Sequence, residues 1–249
     1  MKNLAALLSV GALGLVGGVP TVGQAQTMPA PPAMSRVTVT QVKPDMLNEW
    51  LDLQKNEVVP GLKKSGVKTR TVYSSGLFGT AGEYVIITPI EKFAELDAGN
   101  PLVKSLGAQP AERLGEKLRK CIVSSHSYLV TRIDDLSNVT QQQAPMIVTT
   151  RIRVAPSKVP EFQSLVKTEV LPIYKKANVS LTVNARGLGA NPSDFTLSYG
   201  LNKYADMDGG SPLVKALGQE GFQKLAVKAT ALGTVIEQVL RTRVNDLSF

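Results

Sequence analysis

The chain is poor in the residues that usually announce chemistry. Its 249 residues hold one cysteine, Cys121, one histidine, His126, and one tryptophan, Trp50, and only 5% are aromatic. A single cysteine excludes an internal disulfide, so stability must come from an apolar core. One histidine cannot supply the usual ligand set of a zinc centre, and no carboxylate cluster replaces it, so the sequence predicts no metal site and no cofactor. Charge of one sign is nowhere concentrated. The net charge is +8, yet lysine and arginine come as singles and pairs such as Lys63–Lys64, Arg119–Lys120 and Lys175–Lys176. That scatter is the pattern of a solvated surface and argues against a nucleic-acid footprint. The glycine-rich segments Gly76–Gly82 and Gly187–Gly189 lie between strand-like runs, whereas a dinucleotide cradle needs a strand before it and a helix after it. They read as hairpin turns.

Long apolar runs are also missing, with one exception. Met1-Lys2-Asn3 precedes an apolar stretch from Leu4 to about Val19, and Gly23-Gln24-Ala25 follows. This is the layout of a secretory signal, and the stretch is too short and too broken by glycine for a membrane span. The expectation is a signal peptide over 1–25, a flexible Pro/Ala linker over 26–35, and an exported chain, periplasmic or secreted, with no membrane span.

What the chain does contain is itself, twice. Lys92–Gly107 (KFAELDAGNPLVKSLG) returns as Lys203–Gly218 (KYADMDGGSPLVKALG), identical at ten of sixteen positions. The elements around it also repeat. Alternating strands over 36–42 and 146–154 lead into Pro44 and Pro156. Helical stripes follow through Trp50 and Phe162, with Pro60 and Pro172 expected to kink or shorten each helix. A strand hairpin comes next. Asn100-Pro101 and Ser211-Pro212 then read as a cap with proline at the first helical position. A long helix, placed over 111–124 in the first copy and carried through Leu232 and Ile236 in the second, precedes a closing strand over 127–132 and 239–243. The prediction is α+β: two tandem ferredoxin-like β-α-β-β-α-β repeats, 36–137 and 146–249, joined by a linker over 138–145. Each sheet has one face for its helices and a second, partly apolar face that needs cover. Laying those faces together gives an intramolecular α+β barrel.

This layout resembles the dimeric α+β barrel superfamily, which includes the antibiotic-biosynthesis monooxygenase-like, NIPSNAP-like, EthD-like and chlorite-dismutase-like families. The residues that carry the likeness are Val42-Lys43-Pro44 and Val154-Ala155-Pro156 at the strand-to-helix turns, Val58-Val59-Pro60 and Val170-Leu171-Pro172 within the helices, and the hairpin before the repeated stretch. The resemblance implies that small molecules bind inside the barrel or between sheet and helices. It also implies that some members run cofactor-free oxygenation or haem chemistry.

The repeat supplies an internal control. A residue needed for folding should return in kind at the matching place, while a site residue can be unique to one copy. Cys121 answers to Leu232 and Trp50 to Phe162, so both read as core. His126 answers to Glu237, a polar exchange that suits an exposed position. Asp97 and Asp208 return in kind, either as paired sites at the barrel ends or as acceptors for turn amides. Arg132 and Arg243 return on the closing strands, joined by Arg241, Arg151 and Arg153. If these arginines face the barrel they make a positive interior suited to a carboxylate or phenolate. If they face solvent they are ordinary edge charges. The function expected is the binding of a small anionic organic ligand. The alternatives are a cofactor-free monooxygenase-like or isomerase-like enzyme and a structural module that forms a homo-oligomer.

Overall fold

The computed structural model describes residues 33–139 and 144–249. The expected signal peptide, most of the 26–35 linker and the middle of the 138–145 linker lie outside the described residues. Eight antiparallel strands form a closed barrel in the order β1-β3-β2-β8-β5-β7-β6-β4. They are β1 (Met34–Val42), β2 (Thr71–Ser74), β3 (Glu83–Ile90), β4 (Ile122–Arg132), β5 (Met146–Val154), β6 (Leu181–Arg186), β7 (Asp194–Leu201) and β8 (Gly233–Arg243). Strands β1–β4 form one side of the barrel wall and β5–β8 the other. The sides meet at two short seams, β2 on β8 through Tyr73↔Arg243 and Ser74↔Thr242, and β4 on β6 from Val130↔Arg186 to Arg132↔Asn184.

Helices cover the outside. Helix α1 starts at Leu47–Leu53, widens into a π turn at Gln54–Val58 and ends at Val59–Ser65; α4 repeats this as Val159–Leu165, Val166–Val170 and Leu171–Lys176. The expected shortening at Pro60 and Pro172 does not occur. A proline has no N–H to give and its ring crowds the preceding turn, and the wide turn just upstream takes up both problems without ending the helix. The repeated stretch forms α2 (Pro101–Leu106), with the Asn100 side chain accepting from the Leu102 N–H, followed by α3 (Ala108–Cys121). Its counterpart α5 (Pro212–Thr230) is broken at Gly218. Gly107 and Gly218 hold φ of +87° and +67°, a conformation that favours glycine, and so let the chain turn between the two helical pieces.

Two expected boundaries move. The closing strands begin at Ile122, directly after the first helix, and at Gly233, two turn residues after the second, so 122–124 and Ile236 are strand and Leu232 is turn where helix was expected. Ile122-Val123 and Val235-Ile236 are β-branched pairs that suit a pleated surface.

Side chains alternate between the two faces of the wall. The outward face of each half packs on its helices. Trp50 meets Tyr84 at 4.4 Å between ring centroids in the first half, and Phe162 meets Phe195 at 5.1 Å in the second. Cys121 is fully buried in the first of these cores, as its match to Leu232 implied. Each half also gives a leucine to the other. Leu136 packs into the core of the second half and Leu247 into that of the first. Among the described residues no helix is long and apolar enough to cross a membrane.

Candidate functional site

The inward faces of the strands enclose a cavity of about 440 Å³. Its wall is not uniform. From the first half, β1, β3 and β4 present Val37, Val39, Val85, Ile87 and Val130. Val37, Val85, Tyr128 and Val130 form an apolar cluster of their own, separate from the helix-side cores. From the second half, Thr149, Arg151, Asn184, Arg186, Thr196, Ser198, Glu237 and Arg241 face the same space.

The ladder registers make the contrast position by position. Val39 stands opposite His126 and Val85, and Arg151 stands opposite Glu237 and Thr196 in the matching ladders. Val37 pairs with Ile87 where Thr149 pairs with Ser198. At these matched positions the first half holds mostly aliphatic residues and the second charged or hydroxyl ones, although Glu83, His126 and Arg132 of the first half also line the cavity.

Those charges form a connected set. Arg241 Nη2 lies 3.0 Å from Glu83 Oε1, an ion pair that crosses from the second half to the first, and 3.7 Å from Glu237 Oε1. Ser75 Oγ donates to the same Glu83 oxygen at 2.7 Å. Arg186 lies over the Tyr128 ring at 4.3 Å and donates from Nε to Thr196 Oγ1 at 3.1 Å. Arg151 has a looser neighbour, Glu237 Oε2 at 3.8 Å. The Nε atoms of Arg151 and Arg241 have no hydrogen-bond acceptor among the described residues. Burial lowers the Arg186 pKa, with Tyr128 working in the opposite direction, and burial raises that of Tyr128, which the nearby guanidinium groups partly offset. Both shifts mark a water-poor interior, where an unmatched charge is felt strongly.

The arginines singled out from the sequence divide into three groups. Arg132, Arg151 and Arg241 line the cavity, and Arg132 pairs with Asp134 at 2.6 Å. Arg153 is outside it, held by Asp194 at 2.7 and 3.2 Å, with that carboxylate only 2% exposed. Arg243 sits at the β2–β8 seam beside Tyr73 and lines a separate recess with Lys55 and Asp246. Asp97 and Asp208 are exposed, in or beside the short turns before the proline helices, and do not line the cavity. The turn amides are instead met by Asp206, which accepts from the N–H groups of Asn202 and Lys203, and by Glu95, which accepts from Glu91. These carboxylates sit near the start of each turn, where amides are unpaired, and two residues further on the amides are already used.

His126 is exposed, as its mismatch with Glu237 implied, yet it also lines the cavity, 5.8 Å from Tyr128 between ring centroids. Arg186, Glu83, Glu237 and Tyr128 were not among the sequence candidates. A signal for Arg186 exists: in LTVNAR, Leu181, Val183 and Ala185 alternate with Thr182, Asn184 and Arg186, so the strand's polar face is its lumen face.

No family model and no curated protein sequence matches the chain. Solved structures do share its fold. A candidate monooxygenase from Fusobacterium nucleatum subsp. nucleatum superposes with a TM-score of 0.58 at 13% identity, covering 88% of this chain and 94% of that one. An anthrone oxidase-like protein gives 0.56 at 10% identity, covering 85% and 91%. A chlorite dismutase mutant from Candidatus Nitrospira defluvii gives 0.52 at 14% identity, covering 87% and 94%. The likeness is to the dimeric α+β barrel fold.

Proposed function

We propose that the protein binds a small anionic organic molecule inside the barrel. The observation that carries this reading is the two-sided cavity, with Arg151, Arg186 and Arg241 facing a wall of valine and isoleucine. A molecule with an apolar body and a carboxylate or phenolate end would satisfy both sides at once. Pockets of a few hundred Å³ with a few polar groups on an apolar lining are the usual form of small-molecule sites. The test is calorimetric titration with amphipathic carboxylates. Binding should occur in the micromolar range or tighter and fall at least about tenfold in Arg151→Gln. Titrations with no heat of binding across such a series would remove the reading.

A second reading is supported by His126 and Tyr128 on the cavity wall and by the fold shared with a candidate monooxygenase and an anthrone oxidase-like protein. A phenolate held beside Arg151 would be electron-rich, and His126 lines the same cavity as a candidate base for the phenol proton, so cofactor-free oxygenation is the reaction class to try. Oxygen uptake with phenolic compounds, lost in His126→Ala, is the corresponding assay.

Two wider features belong to the same proposal. The barrel is read as two ferredoxin-like repeats derived from one unit, on the strength of the repeated stretch and the parallel element order of 36–137 and 146–249. The N-terminal 1–25 is read as a signal peptide, so the protein works outside the cytoplasm. Sequencing the N-terminus of the protein from a secreted or periplasmic fraction checks the second point.

A further inference from the structure

We infer that the cavity selects molecules carrying a single negative charge, and that Arg151 holds that charge while Glu237 sets the limit of one. The inference rests on the proposed lumen binding and deepens it. Three guanidinium groups of the second half face the lumen, but they are not equally available. Arg241 has a side chain only 8% exposed and is fixed by Glu83 across the barrel. Arg186 is committed to the Tyr128 ring and to Thr196. Arg132 is answered by Asp134 at 2.6 Å. Arg151 remains, with a side chain 29% exposed, no hydrogen-bond acceptor for Nε among the described residues, and a carboxylate neighbour at 3.8 Å that is too far for a hydrogen bond.

The carboxylates complete the argument. Glu83 and Glu237 oppose Arg151, Arg186 and Arg241, leaving one positive charge in excess on the polar wall. A single carboxylate beside Arg151 brings that wall to neutrality. A second one finds Arg186 already turned to the Tyr128 ring and Thr196 and Arg241 already held by Glu83, and it lies near Glu237, in surroundings where repulsion is poorly screened. Glu237 spans the gap between Arg151 and Arg241 at 3.8 and 3.7 Å. It therefore moderates both arginines without hydrogen-bonding to either of their Nε atoms. The first half shows what the positions hold when no charge is wanted: Val39 in place of Arg151, His126 in place of Glu237 and Val130 in place of Arg241.

The test uses one apolar skeleton with three charge states: 2-naphthamide, 2-naphthoate and naphthalene-2,3-dicarboxylate, whose adjacent carboxylates both face the guanidinium side, titrated calorimetrically into the full-length protein. The expected result is that the monocarboxylate binds about tenfold tighter or more than either of the others. In Glu237→Gln the dicarboxylate should gain at least about tenfold relative to the monocarboxylate. In Arg151→Gln the monocarboxylate should fall to the level of the amide. A wild-type protein that binds the dicarboxylate as tightly as the monocarboxylate overturns the charge limit while leaving lumen binding intact, and needs no variant to show it. Equal binding of amide and monocarboxylate overturns the role of Arg151. Failure of all three to bind removes the underlying reading as well.

Discussion

The two halves of the barrel solve one problem in the same way and another in opposite ways. On their outer faces they agree. Each sets an aromatic pair under its first helix, Trp50 with Tyr84 and Phe162 with Phe195, and each receives a leucine from the other half. On their inner faces they diverge, with Val37, Val39, Val85 and Val130 on one side and Thr149, Arg151, Thr196 and Arg241 on the other. Burying ionised groups is costly, and well-packed apolar residues often serve stability as well or better. The first half shows that such residues fit this barrel. The proposed anion binding would account for the charges of the second half, which packing alone does not call for.

The comparison is most exposed to attack at the ion pair that joins the halves. Arg241→Met leaves Glu83 buried without its partner, and the expected loss is about 3–5 kcal/mol in urea denaturation. Adding Glu83→Gln to that variant should restore most of the loss. If the double variant is as unstable as the single one, the pair is structural after all. Next come the exchanged leucines. Leu136→Ala and Leu247→Ala should each cost about 2–5 kcal/mol and resemble one another, since the outer cores are built alike.

Ionisation offers a gentler probe. Burial pushes Tyr199 up to about 12 from 10.0 and raises Tyr174 further, while the matching positions of the first half hold Leu62 and Thr88. The folded-state pKa values lie above the unfolded ones, so this contribution is fully present below about pH 10. It is lost as pH rises towards 12, because the unfolded chain gives up protons that the native core retains. The loss should be on the order of 2 kcal/mol for Tyr199, and Tyr199→Phe should reduce it in denaturation curves run at pH 9 and 11. The smallest effect belongs to the repeated surface pairs, Lys117 with Glu57 and Lys228 with Glu169. Lys228→Ala should change stability by less than about 1 kcal/mol, and by less still at high salt.

The barrel was legible because its strongest signal is long-range: a repeated stretch and matched strand–proline–helix starts imply two sheets with faces to hide. The direction of the arginines was not, because alternation gives a face without saying whether it looks inward. Arg151 and Arg153 share a parity, yet Arg151 lines the cavity while Arg153, one step further along β5, is bound to Asp194 outside it. The β5–β8 register shifts between Arg151 and Ile152, and β7 begins at Asp194 opposite Arg153, so the lumen face stops short of Arg153. The internal control worked best as a test of difference. Arg132 and Arg243, which recur, lie at the two equivalent seams beside Asn184 and Tyr73, and of the two only Arg132 also reaches the cavity. Arg151, Arg186 and Arg241, which answer to Val39, Ser75 and Val130, gather in the cavity.

The seams also decide what kind of interior this barrel can have. Were the wall assembled from two identical subunits, rotation about the central axis would copy every inward arginine onto the opposite side, and each cation would confront its own image. Here one polypeptide supplies both sides, which meet at the β2–β8 and β4–β6 ladders, and the two sides carry different inward side chains. In the complex we propose, a bound molecule would have a single orientation, head towards the guanidinium side and tail towards the valines, where a symmetric vessel would offer two.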